Sequence, residues 1–333
     1  MNRIKNYILC SVAVNKLYSH DFYDAMKVAV IDLGTNTFHL LVAAYCNSDF
    51  YIVHKARIPI QLGQDALRFG VISEANLDEA CQAMQKFKQV MTEYGVEHYY
   101  ATATSAFRRA KNGQAAAEQI TKVTGIAIEI INGIKEAALI YQGVRKGHVL
   151  DDAPAIIADI GGGSLELMIA NKDAMLWSNS YMLGVRLLYN RFHKQDPPGI
   201  EALTDLQGYL TEQLSGLFDA VALYNPVRLI GCSGVFKTLA KMQGLQQNNN
   251  APLPIKQKAF EELYQGVYNK AYLERLELPG MHHLRAEMII ESCAIVQSIL
   301  HNTEVNVIET SLYGIKEGLL TQLGTRIQKS VKQ

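Results

Sequence analysis

Two stretches of this chain repeat one another 127 residues apart (159 − 32). Val28-Ala29-Val30-Ile31-Asp32-Leu33-Gly34-Thr35-Asn36-Thr37 aligns with Ala155-Ile156-Ile157-Ala158-Asp159-Ile160-Gly161-Gly162-Gly163-Ser164. Each copy passes through apolar residues to an Asp, an aliphatic residue, a Gly, two small residues and a hydroxyl. Each then enters a second apolar run, Phe38 to Ala44 and Leu165 to Ala170. Short apolar runs bounded by turn formers read as buried strands, and two runs so close together read as a hairpin. A Gly-rich turn lets backbone N–H groups converge on phosphate oxygens, with a Thr or Ser hydroxyl beside them. The Asp at each strand end can hold a divalent cation or orient a nucleophile. One Asp-x-Gly turn is common in structural hairpins; two in matching context predict a duplicated phosphate-binding unit.

The bulk of the chain fits that duplication. Its 333 residues exceed what one hydrophobic core usually supports, so two domains are expected. Lys plus Arg equals Asp plus Glu at 32 each, so no global field recruits nucleic acid or an anionic membrane. A polyanionic substrate therefore needs a local basic patch. Cys10, Cys46, Cys81, Cys232 and Cys293 are odd in number and widely spaced, which favours a reducing cytoplasm over a disulfide framework or zinc site. No apolar run approaches the ~18 residues of a transmembrane helix. Residues 1–25 read as an N-terminal arm or upstream extension. Arg3, Lys5 and the run Tyr7 to Val14 imitate a signal peptide only faintly, and no A-x-A site follows.

Periodicity then predicts a third strand over Phe50 to Ile60 and a long helix capped by Ser73. A strand over Val96 to Thr102, helices at Ser105 to Ala110 and after Asn112-Gly113, and a strand over Ile126 to Ile131 follow. A helix from Ile134 to Arg145 leads into a polar linker, Arg145 to Pro154. The second half is expected to run through a strand near Ala174 to Ser180, helices at Gly184 to Arg191 and Thr204 to Leu223, and a strand at Val227 to Gly231. Gln246 to Pro254 reads as a loop and Ile255 to Leu300 as helical. A strand at Val305 to Thr310 and a helix at Tyr313 to Leu323 end the pattern. Such halves fit an α/β architecture with a mixed sheet in each domain and ligand in the cleft between them.

From about Met26 to Leu323 the chain resembles the Ppx/GppA phosphatase family, the exopolyphosphatases and guanosine pentaphosphate phosphohydrolases. The matching residues are Ile31 to Thr37, Ala101-Thr102-Ala103-Thr104-Ser105-Ala106-Phe107-Arg108, Ile130-Ile131-Asn132-Gly133-Ile134-Lys135-Glu136-Ala137 and Asp159 to Glu166. Gly231-Cys232-Ser233-Gly234 and Tyr313-Gly314-Ile315-Lys316-Glu317-Gly318 match as well. The resemblance implies two actin-like (ribonuclease H-like, hexokinase/Hsp70-type) domains with an interdomain active-site cleft. Domain I would span 26–147, with a C-terminal helix at about 313–325 able to pack back onto it, and domain II 148–312. It also implies magnesium-assisted hydrolysis of a terminal phosphoanhydride in inorganic polyphosphate or pppGpp, without a nucleic-acid or membrane partner; a homodimer is the assembly to test. Leu312 stands where the family often has Asp, Cys232 and Ser233 make the third turn less glycine-rich, and the long C-terminal extension of larger exopolyphosphatases is absent.

In that setting Glu136, at a helix start, is the expected general base for the attacking water. On its own, a Glu there would read as a partner of the helix dipole. Asp159 joins it as a catalytic candidate. Asp32, Asp159 and Glu166 face a polyanion and imply a magnesium ion between them. Gly34, Thr35, Asn36, Thr37, Arg108, Gly161, Gly162, Gly163 and Ser164 are the expected phosphate binders. Arg109 reads as an exposed helix charge, Arg285 as a substrate contact or a structural ion pair, His39 as packed, and Trp177 as core. His282-His283 is set aside as a metal pair because neighbours on a helix diverge. A small-molecule kinase of the same fold and a non-catalytic polyphosphate or nucleotide sensor are the alternatives. The weaker third turn and the placement of Glu136 speak against the first; the retained Glu136 and Asp159 speak against the second.

Overall fold

The computed structural model describes residues 25–46, 49–147, 150–245 and 253–331. The N-terminal arm, most of the Gln246 to Pro254 loop and part of the polar linker lie outside them. The first half begins with β1 (Met26–Leu33), β2 (Thr37–Cys46) and β3 (Asp49–Pro59). It continues through α1 (Leu62–Phe69), α2 (Glu74–Glu93), β4 (His98–Ala103), α3 (Ser105–Arg109), α4 (Gly113–Thr124), β5 (Ile128–Ile130) and α5 (Gly133–Gly147). The second half starts alike with β6 (Ala155–Ile160), β7 (Leu165–Ala170) and β8 (Met175–Tyr181). After these come α6 (Val185–Phe192), α7 (Ile200–Gln213), α8 (Ser215–Tyr224), β9 (Leu229–Gly231), α9 (Gly234–Met242) and β10 (Leu253–Lys256). The chain ends through α10 (Gln257–Tyr268), α11 (Tyr272–Leu276), α12 (Ile289–His301), β11 (Val307–Thr310) and α13 (Ile315–Val331).

The repeat extends to topology. One sheet has the order β3-β2-β1-β4-β5, the other β10-β11-β9-β6-β7-β8. In each, an antiparallel three-strand meander continues into parallel strands, β1 with β4 and β5 in one and β6 with β9 and β11 in the other. β10 adds an antiparallel edge to the second. Alternating side chains send one face of each sheet into its own core. Ile31, Leu33, Phe38 and Leu40 meet Phe87 and Phe107 in the first half, and Ile156, Leu165 and Leu167 meet Phe236 and Ile295 in the second. The opposite faces share a third core with α5 and α13, where Val28, Val30 and Leu41 come together with Ile157, Met168 and Ile230. α5 and α13 cross so closely that a Cβ on Gly143 would lie 1.9 Å from the Gly314 carbonyl oxygen, and one on Gly318 would lie 1.8 Å from that of Leu139. Only glycine fits at such a crossing.

Ser73 caps α2 as expected, its hydroxyl accepting from the Asn76 amide at 3.4 Å. Several expectations are corrected. α1 was not foreseen: it is short and Gln61 gives it no side-chain cap. The single helix over Thr204 to Leu223 is two, broken at Leu214, directly before the turn-forming Ser215-Gly216. Pro254 and Ile255 belong to strand β10, and the edge position lets a proline stay there without costing a ladder bond. The stretch between α11 and α12 is a series of turns rather than helix.

Candidate active site

Both repeated turns close in the same way. The Gly34 amide donates to the Thr37 carbonyl at 3.2 Å, and the Gly161 amide to that of Ser164 at 3.0 Å. Each turn is braced by the start of a helix: the Gly63 amide of α1 donates to the Thr35 carbonyl, and the Val185 and Arg186 amides of α6 donate to those of Gly161 and Gly162. The two turns, from opposite halves, press against each other. A Cβ on Gly162 would sit 2.5 Å from Asn36 Nδ2, and one on Gly163 2.5 Å from Ser105 Oγ. Thr35, Ser105 and Ser164 are buried at this junction. Gly34, Thr35, Asn36, Thr37, Gly161, Gly162, Gly163 and Ser164 are thus brought together.

Asp32 and Asp159 end the first strand of each half and point toward one another's field. Burial, moderated by Lys316 and reinforced by Asp159, pushes the Asp32 carboxyl up to about 6. Burial also raises Asp159, against the pull of Lys316, Arg285 and Lys237. Glu166 faces Asp159 across the β6–β7 register and accepts from Ser180 Oγ at 2.8 Å. Burial and the Asp159 charge lift its carboxyl to about 7. Glu136 lies in the first turn of α5, which Asn132 caps by accepting from the Lys135 amide at 2.8 Å. Burial, then Glu166, push its carboxyl well above the ordinary range, while Arg108 pulls it back. Arg108, in the last turn of α3, donates to Glu136 Oε2 at 2.9 Å and to the Ile131 carbonyl at 2.8 Å.

Four acidic side chains therefore gather beside two phosphate-type turns. The Asp32 and Asp159 carboxylates receive no hydrogen bond among the described residues. Buried carboxylates without donors are costly to ionise unless a cation stands near them, as Lys316 does for both. Among the described residues no group of three or more His, Cys, Asp or Glu side chains could enclose a metal unaided. Magnesium does not need one: it keeps several waters and takes one or two carboxylates plus substrate oxygens. The donor set fits that ion and does not fit a caged structural metal.

Other assignments change. Arg109 is not an exposed charge; its Nε and one Nη are buried without a hydrogen-bond partner. His282 and His283 do not diverge on a helix but stack in a turn, ring centroids 4.7 Å apart. Arg285 forms no ion pair with a carboxylate among the described residues; its guanidinium lies against Gly234. Trp177 is half-buried against the second core, and His39 is half-buried beside a group of cations. Lys316 and Lys237 received no role from sequence. Lys316 sits inside the Tyr313 to Gly318 motif, which was the available signal.

The Ppx/GppA phosphatase family model matches residues 41–326. The chain belongs to the Ppx/GppA phosphatase family. The crystal structure of an exopolyphosphatase from Cytophaga hutchinsonii superposes with a TM-score of 0.86 at 33% identity, covering 90% of this chain and 98% of that one. Exopolyphosphatase 1 of Mycobacterium leprae is 25% identical over 300 residues, 89% of this chain and 88% of its own length. An Aquifex aeolicus member of the Ppx/GppA family shares the fold, with a TM-score of 0.77 at 23% identity over 92% of this chain and 98% of that one. The two mixed sheets are accordingly the actin-like α/β fold of Ppx/GppA proteins. This Ppx/GppA protein has no helix among its described residues long and apolar enough to cross a membrane.

Proposed function

We propose that this chain releases terminal phosphate from inorganic polyphosphate, and from pppGpp as the second substrate, by attack of water on the end phosphorus. The observation that carries the reading is the meeting of two matched phosphate turns beside Glu136, a buried carboxylate fixed by Arg108. The turn amides and the Thr35 and Ser164 hydroxyls would bind the terminal phosphate. Glu136 would take a proton from the water as its oxygen bonds to phosphorus, and the bridging P–O bond breaks to free the shortened chain. Arg108 orients Glu136 and stands close enough to meet charge on the phosphoryl oxygens. Asp159, with Glu166 behind it, would position the water. Asp32 and Asp159 would hold magnesium, which when bound neutralises phosphate charge. The domain division at 26–147 and 148–312, with α13 returning to the first half, belongs to the same reading, as does a cytoplasmic location. Homodimerisation is open to a sedimentation measurement.

Incubation with magnesium and polyphosphate, pppGpp, or ATP plus a sugar tests this. Phosphate release from either of the first two is expected. Phosphorylated sugar instead would establish the kinase alternative, and tight polyphosphate binding without turnover the sensor.

A further inference from the structure

Strand register lines up equivalent positions of the duplicated hairpins. Asp32 lies opposite His39, and His39 opposite Arg57 on β3. In the other half Asp159 lies opposite Glu166, and Glu166 opposite Ser180 on β8. His39 and Glu166 occupy the same place in the repeat, 127 residues apart as Asp32 and Asp159 are. The two halves thus differ in charge at matched positions. From the paired aspartates, one arm of the cleft runs through Glu166 toward Glu136. The other runs through His39 to Arg57, with Lys55 two residues earlier on the same exposed face of β3.

Cations of the second half converge on that latter arm. Arg57 Nη2 lies 3.3 Å from Nε2 of His282, in the turns before α12, an uncharged partner whose proton affinity burial and then Arg57 push down to about 4. Arg285 reaches the arm because Gly234 has no side chain: a Cβ there would fall 2.5 Å from its Nη2. Lys237 Nζ donates at 3.3 Å to the Leu312 carbonyl, an uncharged partner. Lys55, Arg57, Lys237 and Arg285 form no ion pair with a carboxylate among the described residues. Arg285 stands within the field of Arg57, and Lys237 within that of Lys316 and Lys55. Asp159 offsets Arg285, and Glu317 offsets part of the Lys237 charge. Lys55 and Arg57 have no carboxylate paired with them among the described residues, and an anion lying between them would relieve their repulsion.

We propose that Lys55 and Arg57, the latter in contact with His282, form a second anion site, which holds internal phosphates of a linear polyphosphate whose end phosphate occupies the paired turns. The inference rests on the function proposed above and gives the bound chain a direction: its free length leaves toward β3, away from Glu136. Lys and Arg on β3 could instead serve only to keep an edge strand from pairing with other chains. That role predicts no dependence on chain length.

The test is the double variant Lys55→Ala/Arg57→Ala, assayed with tripolyphosphate, long-chain polyphosphate and pppGpp at several salt concentrations. The ratio of KM for long chains to KM for tripolyphosphate should rise about tenfold, ~1.4 kcal/mol. The salt dependence of long-chain KM should become shallower, as when fewer counterions are displaced on binding. An unchanged ratio overturns the proposal, as does a rise confined to pppGpp. If wild-type protein hydrolyses none of the three, the function proposed above fails, and equilibrium binding of long-chain polyphosphate decides this site separately. Equal affinity of wild type and variant would then overturn it. Should the double variant melt early, Lys55→Gln carries the same comparison at an exposed position.

Discussion

Replacing Glu136 by Gln separates a base from a structural helix-start residue. The amide keeps the carboxylate's shape, and its oxygen still accepts from Arg108, whose Nη1 lies 2.9 Å from Oε2 in the native protein. What is lost is the ability to accept the water's proton. Loss of a positioned general base lowers the rate by ~10²–10⁴, about 3–5 kcal/mol of barrier. The structural cost is smaller. The Arg108–Glu136 pair is only partly withdrawn from water, its side chains 24% and 10% exposed, so changing a charged acceptor to a neutral one costs about 1 kcal/mol. Removing one of four clustered negative charges should also leave polyanion binding as tight or tighter. The assay is kcat together with equilibrium binding on one preparation, beside wild type and with the thermal midpoint as a folding check. A kcat within about threefold of wild type, under ~1 kcal/mol of barrier, would refute the assignment. A parallel fall in kcat, binding and midpoint would mean that Glu136 holds the fold instead.

Further outcomes follow from other features. Exhaustive chelation should abolish phosphate release and magnesium should restore it; full activity in chelator would remove Asp32 and Asp159 from the metal-linked role. Gly318→Ala should destabilise the protein by about 1–3 kcal/mol, because the new Cβ meets the backbone oxygen of Leu139, which cannot rotate away; an unchanged denaturation midpoint would contradict the close crossing. His193, its side chain 2% exposed, contacts Glu291 at 2.7 Å and Asp196 at 3.1 Å, with Arg275 on the same Asp196 and the Tyr189 ring alongside. Burial lowers its proton affinity, but the two carboxylates outweigh burial and hold it above the ordinary histidine value. A raised folded value means that its contribution is complete below the unfolded value and is lost as pH rises through the folded one. His193→Gln should therefore lower the thermal midpoint more in mildly acidic than in alkaline buffer, and a pH-independent difference would refute the linkage.

What the sequence disclosed depended on whether the cause was local. The hairpins were legible because strand, turn and glycine signals sit within ten residues of one another, and the α2 cap because Ser73 acts three residues ahead. Asp32, Asp159 and the turns of the site could be named for the same reason, whereas Glu136 was named through the family resemblance, its local reading being a helix-dipole partner. The break at Leu214 has a local marker in Ser215-Gly216, but the apolar pattern runs straight through it, with Leu210, Leu214 and Leu217 all buried in one core. Arg109 looked like a surface charge because helical periodicity does not reveal what covers a five-residue helix. His282 was set aside and Arg285 left between two roles because their neighbours, Arg57 and Gly234, lie 225 and 51 residues away in the chain. The first contact is set by how the two halves face each other and the second by packing within the second half, and no window of sequence contains either.

The glycine-lined crossing of α5 and α13 also fixes which parts of the molecule can move. The chain passes between the halves twice, once after α5 and once before α13, and both helices sit in the core shared by the two sheets. Two adjacent pivots would define an axis, so any opening of the cleft would be a rotation about one line rather than a free separation. Glu136 on α5 and its partner Arg108 on α3 both belong to the first half, so such a rotation would carry them together. The two phosphate turns belong to opposite halves, so the rotation parts them. Opening the cleft would thus dismantle the phosphate seat while leaving the carboxylate and its arginine assembled, and each turnover would need to rebuild only the seat.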